Sequence, residues 1–312
     1  RLRSFPDFLV AVPEVLDFFK SEWVEKLFHP TEWGGITGID PIELEPDENC
    51  PQVRKPDNRQ VPPKLREAYE KELKRLCEYY FIPSTSSTAT NMVVAAKKTP
   101  PFIRLCLDLR WLNKVLKVPQ YPIPRPLFSL RLAQTWTLFA DIDLTNSYHQ
   151  LLLAAKTRRL MAVQTPLGLL EPVFLPEGVS PASQILQRVV RELFCDFIDE
   201  GWLIVIFDNI LLGANDYPTL LTRIQRVFNR CRERNVILKL PKSFFGFKEV
   251  NFFGYQVRDG TVSIDDRRKT EAQKLPMPTT KKGMQSYLGV ANFISPFIPG
   301  SADIMAPLYD MI

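Results

Sequence analysis

Two aspartates stand in otherwise apolar stretches of this chain, and their placement calls for a chemical explanation. Asp143 lies in "FADIDLTNSYHQ", and Asp208 lies in "VIFDNILL" with Asn209 directly after it. If the two strands meet at one sheet edge, their carboxylates repel each other unless a cation lies between them. Ligation by oxygen alone favours Mg²⁺, the ion of phosphoryl transfer. Aspartates at ordinary strand-end turns would give the same pattern, so the two residues alone leave both interpretations open.

The composition limits the classes of protein to which this pair can belong. Of 312 residues, 45% are hydrophobic and 24% are charged, which indicates a globular chain with two or three lobes. The net charge of +5 favours nucleic acid or another polyanion as a partner, although many proteins with neither partner share it. The two histidines argue against a histidine-based metal centre. No apolar run reaches membrane-spanning length, so no membrane partner is predicted.

The cysteines and the first residue bear on processing and compartment. Five scattered cysteines without a CxxC pair predict reduced, mostly buried thiols, not a disulfide framework or a zinc site. The chain opens on Arg1 instead of methionine, which indicates a fragment or a processed product. The compartment therefore stays open between an intracellular protein and a processed organellar one.

Hydrophobic patterning predicts the elements that position the two aspartates. "TWTLFADIDL" is predicted as a strand that ends in acidic residues, and "WLIVIFDNILLGAND" as two strands with a turn at Asp208–Asn209. A helix over "SQILQRVVRELFCDFIDEG" is expected to end at Gly201. A second helix, "YPTLLTRIQRVFNRCRERN", has a predicted buried face formed by Leu220, Leu221, Ile224, Val227, Phe228 and Cys231.

The remaining segments complete a mixed α+β order. We predict a helix over "PPKLREAYEKELKRL", an antiparallel hairpin in "NMVVAAKKTPPFIRLCLDL" and another hairpin in "VNFFGYQVRDGTVSI" with its turn at Asp259–Gly260. The last predicted helix is "TTKKGMQSYLGVANFI", capped by Thr279 or Thr280. Residues 1–40 are aromatic and irregular, with one short amphipathic helix.

Six blocks, in order over residues 45–312, resemble the reverse transcriptase of LTR retrotransposons and retroviruses, the Gypsy type in particular. They are "RLCLDLRWLNKV", "FADIDLTNSYHQ", "FLPEGVSPASQILQRVV", "VIFDNIL", "LKLPKSFFGFKEVNFFGYQV" and "MPTTKKGMQSYLGVANFISPFIP". Six blocks at near-constant spacing form a highly specific signal. The resemblance implies an α+β right-hand polymerase fold with fingers, palm and partial thumb, in which an antiparallel palm sheet packs on helices. An RNA-dependent polymerase of another kind would share the palm but not these blocks.

The resemblance also implies a division of the chain. An N-terminal extension that acts as a docking segment (1–45) comes first. Fingers and palm segments then alternate: first fingers (46–117), first palm (118–150), second fingers (151–181) and second palm (182–250). The primer grip and the start of the thumb and connection come last (251–312). The family would continue beyond Ile312 into a ribonuclease H domain. We therefore expect either a fragment cut at that point or a product without RNase H.

The family's functional positions carry over residue by residue. Asp143 and Asp208 match the metal-binding catalytic aspartates, and Asn209 stands at the third catalytic position. Tyr148 matches the steric gate against a ribose 2′-hydroxyl. The other matches are the nucleotide-binding positions Lys97, Arg104, Glu177, Gln187 and Lys242, and the primer grip at Phe253, Gly254 and Tyr255. Ordinary surface charges and a core aromatic are the competing interpretations of the lysines and of Tyr148.

Several departures from the family pattern concentrate at the active centre. Asn209 replaces a carboxylate, which leaves two negative charges against two Mg²⁺ ions and should cost roughly a hundredfold or more in rate. Glu177 places a negative charge beside the triphosphate position, and Ile206 replaces an aromatic that contacts the primer end. The remaining departures are Ser183, Leu186 and Ser243.

Two functional hypotheses follow. The first is a domesticated, degenerate reverse transcriptase-like pseudoenzyme without a metal cofactor, retained to bind RNA, an RNA/DNA hybrid or protein partners through residues 1–45. One form of it is a structural subunit of a ribonucleoprotein. The second is an active RNA-directed DNA polymerase that uses Mg²⁺ and tolerates Asn209.

Overall fold

The structure, a computed structural model, describes residues 6–57 and 59–312 and has the predicted mixed α+β class. The strands of this described region are β1 (Phe81–Pro83), β2 (Thr90–Ala96), β3 (Ile103–Leu107), β4 (Leu138–Asp143), β5 (Val163–Thr165), β6 (Gly168–Pro172), β7 (Leu203–Ile206), β8 (Asn209–Ala214), β9 (Phe244–Phe247), β10 (Glu249–Phe252), β11 (Tyr255–Arg258) and β12 (Thr261–Ile264). They form sheets of five, four and three strands.

The helices cover the sheets and link them. They are α1 (Pro6–Ala11), α2 (Glu14–Lys20), α3 (Glu22–Phe28), α4 (Arg66–Leu76), α5 (Arg110–Asn113), α6 (Pro126–Ala133), α7 (Ala155–Leu160), α8 (Ala182–Leu193), α9 (Cys195–Asp199), α10 (Tyr217–Glu233), α11 (Asp266–Gln273), α12 (Lys281–Ile294) and α13 (Ser301–Tyr309). Every described helix is too short or too polar to cross a bilayer.

The four-stranded sheet, in the order β7-β8-β4-β9, holds the two aspartates. Strands β4 and β8 are antiparallel, in a register that sets Asp143 opposite Asn209. Helix α10 packs against β4 and β8, and α8 packs against β7. The predicted buried face of α10 is confirmed at every position, because apolar residues three and four apart share one side of a helix.

The turn between β7 and β8 differs by one residue from the prediction. Ile206 pairs with Asn209, so the two turn residues are Phe207 and Asp208, and Asn209 is the first residue of β8. Phe207 has φ +54°, in the left-handed region that a two-residue hairpin turn requires. Asn209 is therefore paired within the sheet instead of lying in the turn.

The five-stranded sheet has the strand order β1-β6-β5-β2-β3. The predicted hairpin is confirmed as β2 and β3, in a register that pairs Ala95 with Arg104. Helix α4, also as predicted, packs against β3 and buries Tyr69, Leu73 and Leu76. Together these elements enclose a second hydrophobic core.

The C-terminal region begins with the three-stranded sheet β10-β11-β12. Its second turn, Asp259–Gly260, lies where the sequence predicts it. Thr280 caps α12 by accepting a hydrogen bond from the Gly283 amide at 3.0 Å, which decides between the two predicted caps. Helix α12 is not the last helix, since α13 follows it and shares a small core with it.

The N-terminal segment contains three short helices, α1 to α3, where the sequence suggested one. Its aromatic residues belong to the chain's own core: Phe8 stacks on Tyr217 of α10 at 5.4 Å, and Phe19 lies 4.8 Å from Phe245 of β9. These buried aromatics are not available to a partner, and the docking role of residues 1–45 stays a prediction. Any protein partner would have to use the exposed residues of this segment.

Two further predictions need correction. The helix expected to run to Gly201 breaks at Phe194 into α8 and α9, because both aromatic Phe194 and Phe197 turn into the core. The cysteines are not mostly buried, since Cys231 is buried while Cys195 is exposed and the other three are intermediate.

Candidate active site

Asp143, Asp208 and Asn209 meet where β4 ends and the β7–β8 turn begins, and we call this group the acidic corner. The β4–β8 register brings Asp143 beside Asn209, and the backbone amide of Leu144 donates to the Asp208 carbonyl at 3.2 Å. All three side chains line one open cavity of about 340 Å³, which Lys242 also borders. The structure thus brings together the predicted catalytic residues and one predicted nucleotide-binding lysine.

The carboxylates of this corner are electrostatically unfavourable. Burial raises the pKa of Asp143 to about 6, and the negative charge of Asp208 adds to the shift, while Lys242 and Lys239 oppose it. On the same strand, burial raises the pKa of Asp141 to about 7, with Asp143 and Asp208 contributing. Carboxylates that disfavour their charged form in this way gain from a nearby cation.

Two contacts change what the corner offers to such a cation. The Asn209 amide donates a hydrogen bond to Asp208 Oδ1 at 3.2 Å, so it uses one of the lone pairs that a metal could otherwise share. Lys242 Nζ lies 3.8 Å from Asp143 Oδ2. Within residues 6–57 and 59–312, no group of three His, Cys, Asp or Glu side chains is arranged to hold a metal ion. The donor set fits one divalent cation between Asp143 and Asp208 better than it fits two.

The backbone beneath the acidic corner is hydrogen-bonded by buried side chains. Gln187 donates to the Val205 carbonyl at 3.1 Å and accepts from the Phe207 amide at 2.7 Å, which fixes the turn that carries Asp208. Ser243 accepts from the Asp143 amide at 3.3 Å. The sequence predicts that Gln187 binds nucleotide, but its side chain is buried and its polar atoms are used by this backbone.

Gln150 provides the third support. Its amide nitrogen donates to the carbonyls of Thr145 at 2.6 Å and Ile237 at 2.9 Å, and its Oε1 accepts from the Ile237 amide at 2.8 Å. These bonds tie the segment after β4 to the segment before β9. The loop after Asp143 is therefore held from both sides.

A second cavity, of about 730 Å³, lies between α4, the β2–β3 hairpin and the loops that carry Asn146, Glu177 and Lys239, and we call it the fingers cavity. The predicted nucleotide-binding residues Lys97, Arg104 and Glu177 line it, and so does Lys239. Arg104 and Glu177 form a direct ion pair. Also in the wall is His149, whose pKa burial lowers to about 4 and whose ring stacks on Tyr80 at 4.3 Å.

The remaining predicted residues are not among those that line these two cavities. Tyr148, the predicted steric gate, is half-buried, with its hydroxyl 3.5 Å from Ser183 Oγ. Ile206 is buried in β7, where it presents no side chain to solvent. The predicted primer grip forms the β10–β11 turn, with Phe253 partly exposed and Tyr255 buried against Phe293 at 4.6 Å.

Gly254 at this turn has no sterically acceptable substitute. Its φ is +83°, and a Cβ there would come within 2.9 Å of the Phe293 ring. The turn therefore packs directly on α12. Of the three predicted primer-grip residues, only Phe253 has a side chain available to a ligand.

Sequence reasoning missed Asp141, Lys239 and the supports Gln150 and Ser243. Asp141 and Gln150 lie inside the same block as Asp143, and a polar residue within a buried run was the available signal for both. Ser243 stood out only as a departure from the family pattern. Lys239 gave no signal, because one lysine among many in a basic chain is unremarkable.

Comparison with known families and structures identifies relatives of this chain. Residues 95–257 match the family described as reverse transcriptase (RNA-dependent DNA polymerase). The chain is 23% identical to the Transposon Tf2-7 polyprotein of Schizosaccharomyces pombe, over 97% of this chain and 23% of that protein. It is 27% identical to the retrovirus-related Pol polyprotein from transposon opus of Drosophila melanogaster, over 80% of this chain and 25% of that protein. The chain thus spans about a quarter of the length of these relatives.

Solved structures agree on the fold. The foamy viral protease-reverse transcriptase in complex with dsDNA matches with a TM-score of 0.80 and 21% identity, over 99% of this chain and 63% of that one. The same viral protein in complex with RNA/DNA hybrid matches with a TM-score of 0.76 and 20% identity, over 98% of this chain and 40% of that one. Coverage this complete includes most of the N-terminal segment, so that segment is not peculiar to this chain. The chain has the right-hand polymerase fold, belongs to the reverse transcriptase family, and is a reverse transcriptase domain of the LTR-retroelement type.

Proposed function

We propose that this domain binds primer–template duplexes and extends primers only slowly with Mg²⁺. The observation that carries the proposal is the Asn209 amide, which stands at the third catalytic position and donates to Asp208 Oδ1. An amide brings no charge and here consumes a carboxylate lone pair. Loss of a charged ligand from a two-metal site costs several kcal/mol of transition-state stabilisation, or roughly a hundredfold in rate.

The acidic corner would still hold a divalent cation between Asp143 and Asp208. Mg²⁺ in this place supplies charge stabilisation for phosphoryl transfer. The chain's own role is to orient the two carboxylates, with Gln187 holding the turn that carries Asp208 and Ser243 holding the backbone of Asp143. The raised pKa of Asp143, about 6, fits a carboxylate that needs a cation to ionise fully.

The partner class we propose is a nucleic-acid duplex, either RNA or an RNA/DNA hybrid with a DNA primer. The foamy viral relatives of known structure are in complex with dsDNA and with RNA/DNA hybrid. In this chain, exposed Lys97 and Lys98 project from the hairpin beside the fingers cavity and offer charge to a phosphate backbone. Retention as a domesticated binding subunit of a ribonucleoprotein is one biological setting for such a domain.

A primer-extension assay on an RNA template, with Mg²⁺ and in parallel with Mn²⁺, tests the proposal. The protein and its Asn209→Asp variant are compared at equal duplex occupancy, measured by fluorescence anisotropy of a labelled hybrid. We expect duplex binding by both proteins and an extension rate about a hundredfold higher for the variant. Asn215→Asp, the same change just beyond the far end of β8, is the matched control and should leave the rate unaltered.

The alternative function is an active RNA-directed DNA polymerase that works by two-metal nucleotidyl transfer. It is favoured by the convergence of Asp143 and Asp208 on one cavity with Lys242 beside them. Robust extension by the unmodified protein, with no gain in the Asn209→Asp variant, would establish the alternative and refute slow extension. Failure of both proteins to bind the duplex would refute the proposal as a whole.

A further inference from the structure

Arg104 and Glu177 line the fingers cavity and form an ion pair with each other there. Arg104 lies on β3 opposite Ala95, and Glu177 lies on the loop between β6 and α8, so the pair joins two segments that are distant in sequence. Their side chains are 59% and 46% exposed, which leaves both within reach of a solute in the cavity. A guanidinium fork matches a carboxylate and a phosphate equally well.

The loop that carries Glu177 is held in place. The Asn113 side chain of α5 donates to the Gly178 carbonyl at 2.8 Å and accepts from the Ser180 amide at 2.9 Å. On the other side, the Leu175 amide donates to the Leu151 carbonyl at 2.9 Å. Glu177 is therefore presented to Arg104 by a fixed backbone, so the contact does not depend on a chance loop position.

The other cations of the cavity differ in how much of their charge is already taken. Arg75 is bound by Glu72 through two hydrogen bonds of 2.9 and 2.7 Å. Lys97 makes no ion pair within 4 Å in the part of the chain that the structure describes. With Arg104 and Arg75 both neutralised, Lys97 and Lys239 remain as the main charges open to an incoming anion.

We propose that Glu177 is a built-in competitor for the phosphates of a nucleoside triphosphate, because its carboxylate occupies Arg104 where a phosphate would bind. A triphosphate entering the cavity must displace this carboxylate and then meets its negative charge. An exposed ion pair alone is worth only a few-fold in affinity, and the like-charge repulsion adds to it, so we expect a total effect of about tenfold. The inference rests on the proposed function, primer extension, together with the family resemblance that assigns Lys97, Arg104 and Glu177 to nucleotide binding.

Isothermal titration calorimetry with dATP and Mg²⁺, on protein already bound to a hybrid duplex, tests this competition. Glu177→Gln should tighten dATP binding about tenfold. Arg104→Gln should weaken it, and adding Glu177→Gln to Arg104→Gln should restore less than the single change gains, because the competitor's target is then gone. Glu45→Gln, which removes an exposed carboxylate paired with Lys117 outside the cavity, is the matched control and should change nothing.

Three results would overturn the competition: equal dATP affinity of the protein and Glu177→Gln, an equal gain with and without Arg104, or no dATP binding by either protein. Thermal unfolding of each variant shows whether it is folded before its affinity is compared. Duplex binding is recorded in the same samples. Its loss counts against the proposed function, whereas unchanged dATP affinity with intact duplex binding counts against the role of Glu177 alone.

Discussion

The backbone framework beneath the acidic corner is hydrogen-bonded by buried side chains, whereas we propose that the charged and polar groups that face the cavities are poorly suited to the reaction. Beneath, the buried amides of Gln150 and Gln187 use both their donor and their acceptor atoms on the surrounding backbone. On top, the Asn209 amide donates to Asp208 Oδ1, and in the fingers cavity Glu177 pairs with Arg104. Positioning and reactivity are thus separable properties of this site: the fold holds the corner in shape whether or not the charges suit a reaction.

The largest expected effect is on the framework. Replacing Gln150→Leu removes the hydrogen-bond partner of the Thr145 carbonyl and of the Ile237 amide, while the Ile237 carbonyl keeps the Thr145 amide at 3.1 Å. Each buried orphan costs about 1–3 kcal/mol. We expect the free energy of unfolding to fall by about 4 kcal/mol in urea titrations.

Gln184→Leu is the matched control for this change. Its Oε1 is buried without a hydrogen-bond partner among the described residues, so its loss should alter stability by less than about 0.5 kcal/mol. Equal losses of stability from the two substitutions would show that the hydrogen bonds of Gln150 contribute no more than the side chain of Gln184.

The second effect concerns pH. The pKa of Asp143 is about 6 in the folded chain against an ordinary 3.8, so between these values the native state holds a proton that the unfolded state has lost. Stability is therefore greatest below pH 4 for this group and falls, by about 3 kcal/mol in all, as pH rises from there through 6. The measurement is urea unfolding across this range in the absence of divalent cations.

Asp143→Asn isolates the contribution of the acidic corner, since it removes the titrating group and keeps the shape. The difference in unfolding free energy between protein and variant should change with pH in the stated direction. A difference that is flat, or that rises in favour of the protein toward neutral pH, would contradict a strained corner.

The third effect measures how the corner responds to one more charge. Asn209→Asp adds a third carboxylate beside Asp208 and removes the 3.2 Å hydrogen bond, so stability in EDTA should fall by about 1 kcal/mol. Millimolar Mg²⁺ should restore it by binding the folded state alone. Thermal unfolding with and without Mg²⁺ gives both values, and no gain in stability from Mg²⁺ in either protein would argue that the corner is not a cation site.

The smallest effect is at Lys242. Its ammonium lies 3.8 Å from Asp143 but is well exposed, so Lys242→Gln should cost less than about 0.5 kcal/mol of stability. The same assay on Lys26→Gln, which breaks an exposed pair with Glu22, sets the background for a surface lysine. A loss above about 1 kcal/mol specific to Lys242 would show that this lysine stabilises the fold as the buried framework residues do. It would then contradict the separation of framework and reactive groups.

Local pattern predicted much of this structure. The buried face of α10, the β2–β3 hairpin and the strands that carry Asp143 and Asp208 follow from periodicities of 3.6 and 2 along the chain. What it could not predict are contacts between distant segments, because no local signal encodes them. Arg104 and Glu177 are far apart in sequence, and the break of the helix at Phe194 depends on the core that receives its ring. Family motifs located the acidic corner but assigned Gln187 to the ligand instead of to the turn.

The packing of the N-terminal helices has a consequence for how the chain folds as it is made. Phe8 of α1 lies on Tyr217 and against Gly246, where a Cβ would come within 2.7 Å of its ring. More than two hundred residues must therefore leave the ribosome before this ring has a place to go, which takes roughly ten to forty seconds or more at ordinary rates of synthesis. During that time the apolar faces of α1 to α3 are exposed on the nascent chain. The core that receives α1 to α3 thus forms late in synthesis. A chaperone that binds these helices would do so before the residues of the acidic corner have come together.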